Sequence, residues 1–307
     1  MRWLTGRRRE EDPAPRGGLP TIAVITMARD EGLLLSVWVE HYARHVGMNG
    51  LVVLDDNSSD GSTENLPCTV HHVPGLPGGA GFELSRMRLV SGIAQGLLAV
   101  YDYVAFVDVD EFLIPDPARF STLPELVAAH PEPVLGVVGL NVVHLPAVEA
   151  PLDLRRPLLE QRSFAKFTPL MCKPSVKRVP APWVASSHGI RRPYQVDPSL
   201  FMIHLKYADR DRLASVATVR KAANASDGRA GKSSWSRPVA QQLATFDRVV
   251  AGVDPASIPE FDPGAEALDR LVEEHEDGIF RTPQQGQLQA LQHQPFVRLP
   301  SRLLGAL

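Results

Sequence analysis

The first 115 residues alternate short, uniformly apolar runs with longer runs of helical spacing. Thr21-Ile-Ala-Val-Ile-Thr-Met27 is apolar and β-branched almost throughout, which predicts a strand buried on both faces. From Glu31 to Val46 the apolar positions Leu34, Val37, Trp38, Tyr42 and Val46 recur at helical intervals, with Asp30 placed to cap the helix. Leu51–Leu54 predicts a second strand and Thr69–Val73 a third. A glycine-rich loop from Gly75 to Gly81 leads into a helix over 82–100, and Tyr103–Val107 predicts a fourth strand. This β-α-β-β-α-β order predicts an α/β fold. Helices cover the faces of a mostly parallel central sheet, and ligands bind at the carboxyl ends of its strands.

After Pro115 the pattern loosens. Thr122-Leu-Pro-Glu125 has the form of a capping box before a short helix, and Val134–Val143 predicts a strand. Residues 146–198 are rich in proline and basic residues and predict long loops. Leu200–His204 predicts a late strand, followed by helices over 209–222, 238–250 and 265–275. The chain therefore divides into a flexible tail (1–20), a main domain (21–235, with halves 21–115 and 116–235) and a C-terminal helical extension (236–307).

Composition narrows the functional classes. A net charge of -3 argues against a basic nucleic-acid-binding surface, so no nucleic acid partner is expected. Two cysteines, Cys68 and Cys172, cannot form a disulfide framework or a cysteine-rich zinc site, and they suit a cytoplasmic protein. No transmembrane segment is expected: the most apolar stretch, 89–107, contains Gln95 and Asp102 and changes period midway. Arg7, Arg8 and Arg9 are followed by Glu10, Glu11 and Asp12 with no apolar run behind them, so no signal peptide is expected either. All six lysines fall between Lys166 and Lys232, which hints that this half meets a polyanion.

Three strand ends carry polar or acidic loops: Met27-Ala-Arg29-Asp30, Asp55-Asp56-Asn57 and Asp108-Val-Asp110. Two carboxylates one residue apart, directly after a buried strand, suit a hard divalent cation that also holds phosphate oxygens. Asp56-Asn-Ser-Ser-Asp60-Gly61 mimics the start of a calcium loop, but Pro67 stands where the bidentate glutamate belongs. Gly228-Arg-Ala-Gly231-Lys232-Ser233 has two residues between its glycines where a phosphate loop needs four.

Three segments resemble the nucleotide-sugar-binding half of GT-A glycosyltransferases of the family 2 type: Val24-Ile-Thr-Met-Ala-Arg-Asp-Glu31, Val53-Leu-Asp-Asp-Asn-Ser-Ser-Asp-Gly61 and Val107-Asp-Val-Asp-Glu-Phe-Leu-Ile-Pro115. With Trp38 of the first helix they most resemble a bacterial, glycosyltransferase 2-like branch related to family 92. The likeness covers residues 21–115, about a third of the chain. It extends more loosely to Lys173-Pro-Ser-Val176, His188 and His204-Leu-Lys206-Tyr207. The resemblance implies a GT-A fold and transfer from a nucleoside diphosphate sugar to a carbohydrate or lipid-linked glycan acceptor, with Mn2+ or Mg2+ as cofactor. The enzyme would be cytoplasmic, with peripheral association at the inner face of the membrane.

Donor-binding roles fall by resemblance on Thr26, Arg29, Asp56, Arg86 (or Arg88), Asp108 and Lys206, with Asp56 on the base. Asp108, Asp110 and His204 are the implied metal ligands. His204 and Lys206 alternate on one strand face, so both can point at one ligand. If the reaction inverts, Asp197, His188 and Glu111 are the candidates for the base. A nucleotidyltransferase of similar fold and an inactive nucleotide-sugar-binding scaffold are the alternative readings.

Overall fold

The apolar runs become the centre of the sheet. β1 (Ile22–Ala28), β2 (Leu51–Asp55), β3 (Thr69–His72) and β4 (Tyr103–Phe106) are mutually parallel in the order β3-β2-β1-β4. The computed structural model describes residues 18–228, 237–275, 277–284 and 286–307. The expected tail lies almost wholly outside the described residues, as do most of the Gly228–Ser233 loop and the boundary at 235. β1 is apolar on both faces because both are covered. Ile22 and Val24 pack with Trp38 and Tyr42 of α1 (Leu33–Val46), while Ala23 and Ile25 pack with Met87 and Val90 of α2 (Phe82–Leu97).

Beyond β4 the sheet becomes mixed. Its further strands are β5 (Glu111–Pro115), β6 (Val134–Val143), β7 (Phe164–Phe167) and β8 (Pro174–Lys177). A two-residue β9 (Gly189–Ile190) is followed by the long β10 (Gln195–Tyr207). β8 runs antiparallel to both β4 and β6; β10 is parallel to β6 and antiparallel to β5, with His204 opposite Glu111. That pairing returns the second half of the chain to the strand end that carries Asp108 and Asp110.

α3 (Leu123–Ala129) starts at the expected capping box. Thr122 Oγ1 accepts from Glu125 N, and Glu125 Oε2 accepts from Ser121 N at 2.7 Å. α4 (Arg210–Asp227) is capped by Asp209, whose Oδ1 accepts from Arg212 N at 2.8 Å; buried Arg162 reaches the other oxygen at 3.4 Å. α5 (Val239–Val250) is tied to α4 by a two-pronged Arg210–Asp247 pair at 2.7 and 2.8 Å.

Of the two helices expected in the C-terminal region, 238–250 forms as α5 and 265–275 does not. Residues 265–275 form short 3-10 turns and β11 (Glu273–Glu274), which joins β12 (Phe280–Arg281) and β9 in a small sheet. Glu266, Asp269 and Glu273 would stack like charges at i,i+3 and i,i+4 on a helix, which disfavours it. α6 (Gln287–His293) follows, and β13 (Val297–Arg298) pairs with β7 at the edge of the main sheet. No helix among the described residues is long and apolar enough to cross a membrane.

Candidate functional site

The carboxyl ends of β1, β2 and β4 open on a cleft of about 580 Å3. Its floor comes from the loop after β1 and from Asp56 and Asp60. One wall holds Arg86 of α2 with Asp108 and Asp110, and the other is the face of α4 that bears Arg212, Val216 and Arg220.

The first two loops are zipped together. Asp30, in a left-handed conformation (φ 54°), accepts from Ser59 N at 2.7 Å and Asp60 N at 3.1 Å, and Asp60 in turn accepts from Gly32 N at 3.0 Å. Asp30 therefore fixes the Asp-Asp-Asn-Ser-Ser-Asp-Gly turn; it does not cap α1, whose cap position is Gly32. Asp56 is buried, accepts from Leu76 N at 3.0 Å and lies 3.9 Å from the Arg29 guanidinium.

Asp108 pairs with Arg86, which also reaches Glu83 at 3.3 Å and lies over the Phe106 ring. Arg88 is exposed on the same helix, so Arg86 is the arginine the fold sends to the cleft. Glu111 is fully enclosed. One of its oxygens meets Lys173 Nζ at 2.7 Å and the other accepts from Asp108 N at 2.9 Å, which fixes the Asp108-Val-Asp110 turn from beneath. Burial pushes the Glu111 carboxyl up and the Lys173 ammonium opposes it. With both oxygens spent on structure, Glu111 does not fit the role of a base.

Asp110 and His204 face each other, Oδ2 to Nε2, at 3.5 Å. His204 Nδ1 lies 2.5 Å from Asn141 Oδ1, an acceptor, so Nδ1 carries a ring proton and Nε2 is the atom turned toward Asp110. Two lone pairs at that separation call for a cation between them, either a proton or a metal ion. Among the described residues no three His, Cys, Asp or Glu side chains are grouped to hold a metal by themselves. One carboxylate and one imidazole are donors that suit a divalent cation such as Mn2+ or Mg2+, which would need further oxygen ligands from outside the pair. Burial works against ionisation of Asp110, but His204, Arg220 and Arg212 outweigh it and hold the carboxyl far below the usual range.

Of the other expected residues, Lys206 adjoins the cleft and the rest do not line it. Lys206 lines a small side pocket with Asp110, Arg212 and Arg220; burial, with Arg220 beside it, lowers its ammonium to about 8. Thr26 is wholly buried one residue behind the cleft lining, its hydroxyl without a hydrogen-bond partner. His188 donates from Nδ1 to the Leu170 carbonyl at 2.9 Å, and burial with Lys173 nearby pushes its ring down to about 3. Asp197 is not brought to the cleft. It pairs with His130 near the start of β10, seven residues and roughly 20 Å along the strand from His204.

Three cleft residues had escaped the sequence reading. Glu31 lies 3.9 Å from Arg212, and burial raises its carboxyl to about 6, a shift that Asp110 and Asp108 reinforce and Arg220 and Arg212 moderate. Arg212 and Arg220 stand on one face of α4 with Val216 between them. Their eight-residue spacing, just after the His204-Leu-Lys206 strand, was the available signal.

No protein-family model matches the chain, and no curated protein matches it. Solved structures similar to it include S. aureus TarS, at 13% identity over 75% of this chain and 43% of that one, with a TM-score of 0.36. A mycobacterial protein matches at 23% identity over 42% of this chain and 43% of its own, with a TM-score of 0.26. A mannosyltransferase from Pyrobaculum calidifontis, solved with GDP-Man and Mn2+, matches at 16% identity over 78% and 72% of the two chains, with a TM-score of 0.35. The chain spans less than half the length of the first two of these proteins.

Proposed function

We propose that the chain is a GT-A glycosyltransferase that moves a sugar from a nucleoside diphosphate sugar to an acceptor hydroxyl, with Mn2+ or Mg2+ bound. The observation that carries this reading is the meeting, at the carboxyl ends of parallel strands, of Asp56, Asp108 and Asp110 with His204 and Lys206 from the far half of the chain. Asp56 binds the nucleoside base, and Asp110 and His204 hold the cation, with Asp108 beside them. The bound metal supplies Lewis-acid stabilisation of the diphosphate. Arg86, Lys206, Arg212 and Arg220 add fixed positive charge where the leaving group becomes negative. Residues 21–235 form the catalytic unit, and the acceptor is a carbohydrate or lipid-linked glycan presented on the cytoplasmic side.

Inverting transfer needs a base near the acceptor oxygen, and Glu31 takes that role in this reading. It lines the cleft, and its carboxyl titrates at about 6. The base is active once deprotonated and Lys206 only while protonated, so kcat/KM is expected to rise as pH increases through 6 and to fall again above about 8. In Glu31→Gln the rising limb should vanish along with most of the turnover. A pH-rate profile that keeps the limb in Glu31→Gln would assign the base elsewhere.

The reading is tested by thermal unfolding of the purified chain with a panel of nucleoside diphosphate sugars, with and without Mn2+. A donor at a hundred times its dissociation constant stabilises by about 2.7 kcal/mol. The expected result is stabilisation that needs both donor and metal, with slow release of free sugar and nucleoside diphosphate. Stabilisation by nucleoside triphosphates, with pyrophosphate released, would make it a nucleotidyltransferase instead.

A further inference from the structure

The ring proton of His204 can be traced to two atoms that cannot donate. Met171 Sδ is a thioether with no hydrogen to give, and Gln287 Nε2 donates to it, so Gln287 Oε1 is turned toward Asn141. Asn141 Nδ2 donates to that oxygen at 3.1 Å and to Thr168 Oγ1 at 3.0 Å. The Thr168 hydroxyl spends its own hydrogen on the Lys166 carbonyl at 3.1 Å. Both neighbours on that side of Asn141 are acceptors, so its NH2 end faces them and its Oδ1 faces His204 Nδ1. Flipping Asn141 would put its carbonyl against Gln287 Oε1. Flipping Gln287 as well would put a carbonyl against the sulfur of Met171.

Gln287 is the first residue of α6, and the segment that follows is anchored independently. Lys166 Nζ donates to the Gln294 carbonyl at 2.6 Å and lies 4.2 Å from the centre of the Phe296 ring, and β13 pairs with β7. A residue 83 positions after His204 in the sequence thus sits behind it in space.

We propose that Gln287 is a positioning residue for the cation site: acting through Asn141, it fixes His204 as the Nδ1–H tautomer and so presents the Nε2 lone pair on the side of Asp110. The identity of the cation rests on the glycosyltransferase reading; the polarity of the relay does not. Partners that orient a ligating histidine are typically worth ten- to a hundredfold in metal affinity.

The test uses the full chain labelled with 15N histidine. Tautomers are read from ring nitrogen shifts, with His204 assigned by its loss in His204→Gln, and Mn2+ affinity is read from the EPR signal of free Mn2+. The parent and Gln287→Glu, which keeps an acceptor for Asn141, should both show the Nδ1–H tautomer. Gln287→Leu, and the volume-conserving Met171→Leu, should populate the Nε2–H form and weaken Mn2+ binding on the order of tenfold. A parental His204 protonated at Nε2 and not at Nδ1 would overturn the proposal, and so would a tautomer unchanged in both leucine variants. Asp110→Ala is the control for the site itself. If it binds Mn2+ as the parent does, the metal assignment falls, while the tautomer comparison still decides the relay.

Discussion

Asp110→Ala is expected to abolish Mn2+-dependent turnover, lowering kcat/KM about a thousandfold or more while the folded state persists. Removing the carboxylate leaves His204 alone to hold the cation, and a Lewis acid at a diphosphate contributes several kcal/mol of transition-state stabilisation. A thousandfold is about 4 kcal/mol, within that range. The side chain lines the cleft and faces His204, with the charges of Arg220 and Arg212 nearby, so the circular dichroism spectrum should match the parent's. Affinity for the bare nucleoside diphosphate without metal should change little, because Asp56 and the zipped loops after β1 and β2 are untouched. Turnover that keeps its parental dependence on Mn2+ in this variant would remove Asp110 from the metal site.

Much of this site was legible because its residues sit where a buried strand ends. A strand apolar on both faces has only its carboxyl end free for polar groups, so acids directly after Val24–Met27, Val52–Leu54 and Val104–Val107 had to converge. His204 and Lys206 were legible from two-residue alternation, and the pairing of β10 with β5 brings that face to Asp110. What escaped was chemistry that looks polar in sequence and is buried in space. β7 and β8 were read as loops because Lys166, Lys173 and Lys177 break their apolar runs, yet all three lysines are enclosed. Each finds a partner that spacing does not reveal: the Gln294 carbonyl, Glu111 and the Ala181 carbonyl. Glu31 and Arg212 were hidden for a related reason. Their pairing depends on how α4 lies across the cleft, which the capping of α4 by Asp209 and the Arg162 contact decides.

Lys173→Met should be the most destabilising single change near the site, costing about 3–5 kcal/mol, the usual penalty for leaving one partner of a buried ion pair uncompensated. Lys173 Nζ meets Glu111 Oε1 at 2.7 Å and Ser187 Oγ at 3.1 Å, and the pair's side chains are only 1% and 3% exposed. Without the ammonium, Glu111 can escape the penalty only by taking up a proton. Its folded-state pKa then rises further above its unfolded value, and the folded state binds the extra proton. The deficit should therefore be smallest near pH 5 and grow as pH rises toward 8, the opposite of acid denaturation. Urea unfolding at pH 5, 7 and 8, followed by tryptophan fluorescence, measures it. The double variant Lys173→Met, Glu111→Leu should recover most of the lost stability, because no buried charge remains. It should not recover activity, because Asp108 N loses the oxygen that fixes the Asp108-Val-Asp110 turn. A single variant that loses less than about 1 kcal/mol at pH 8 would show that water reaches Glu111, and the support beneath Asp108-Val-Asp110 would then have to come from the β5–β10 pairing alone.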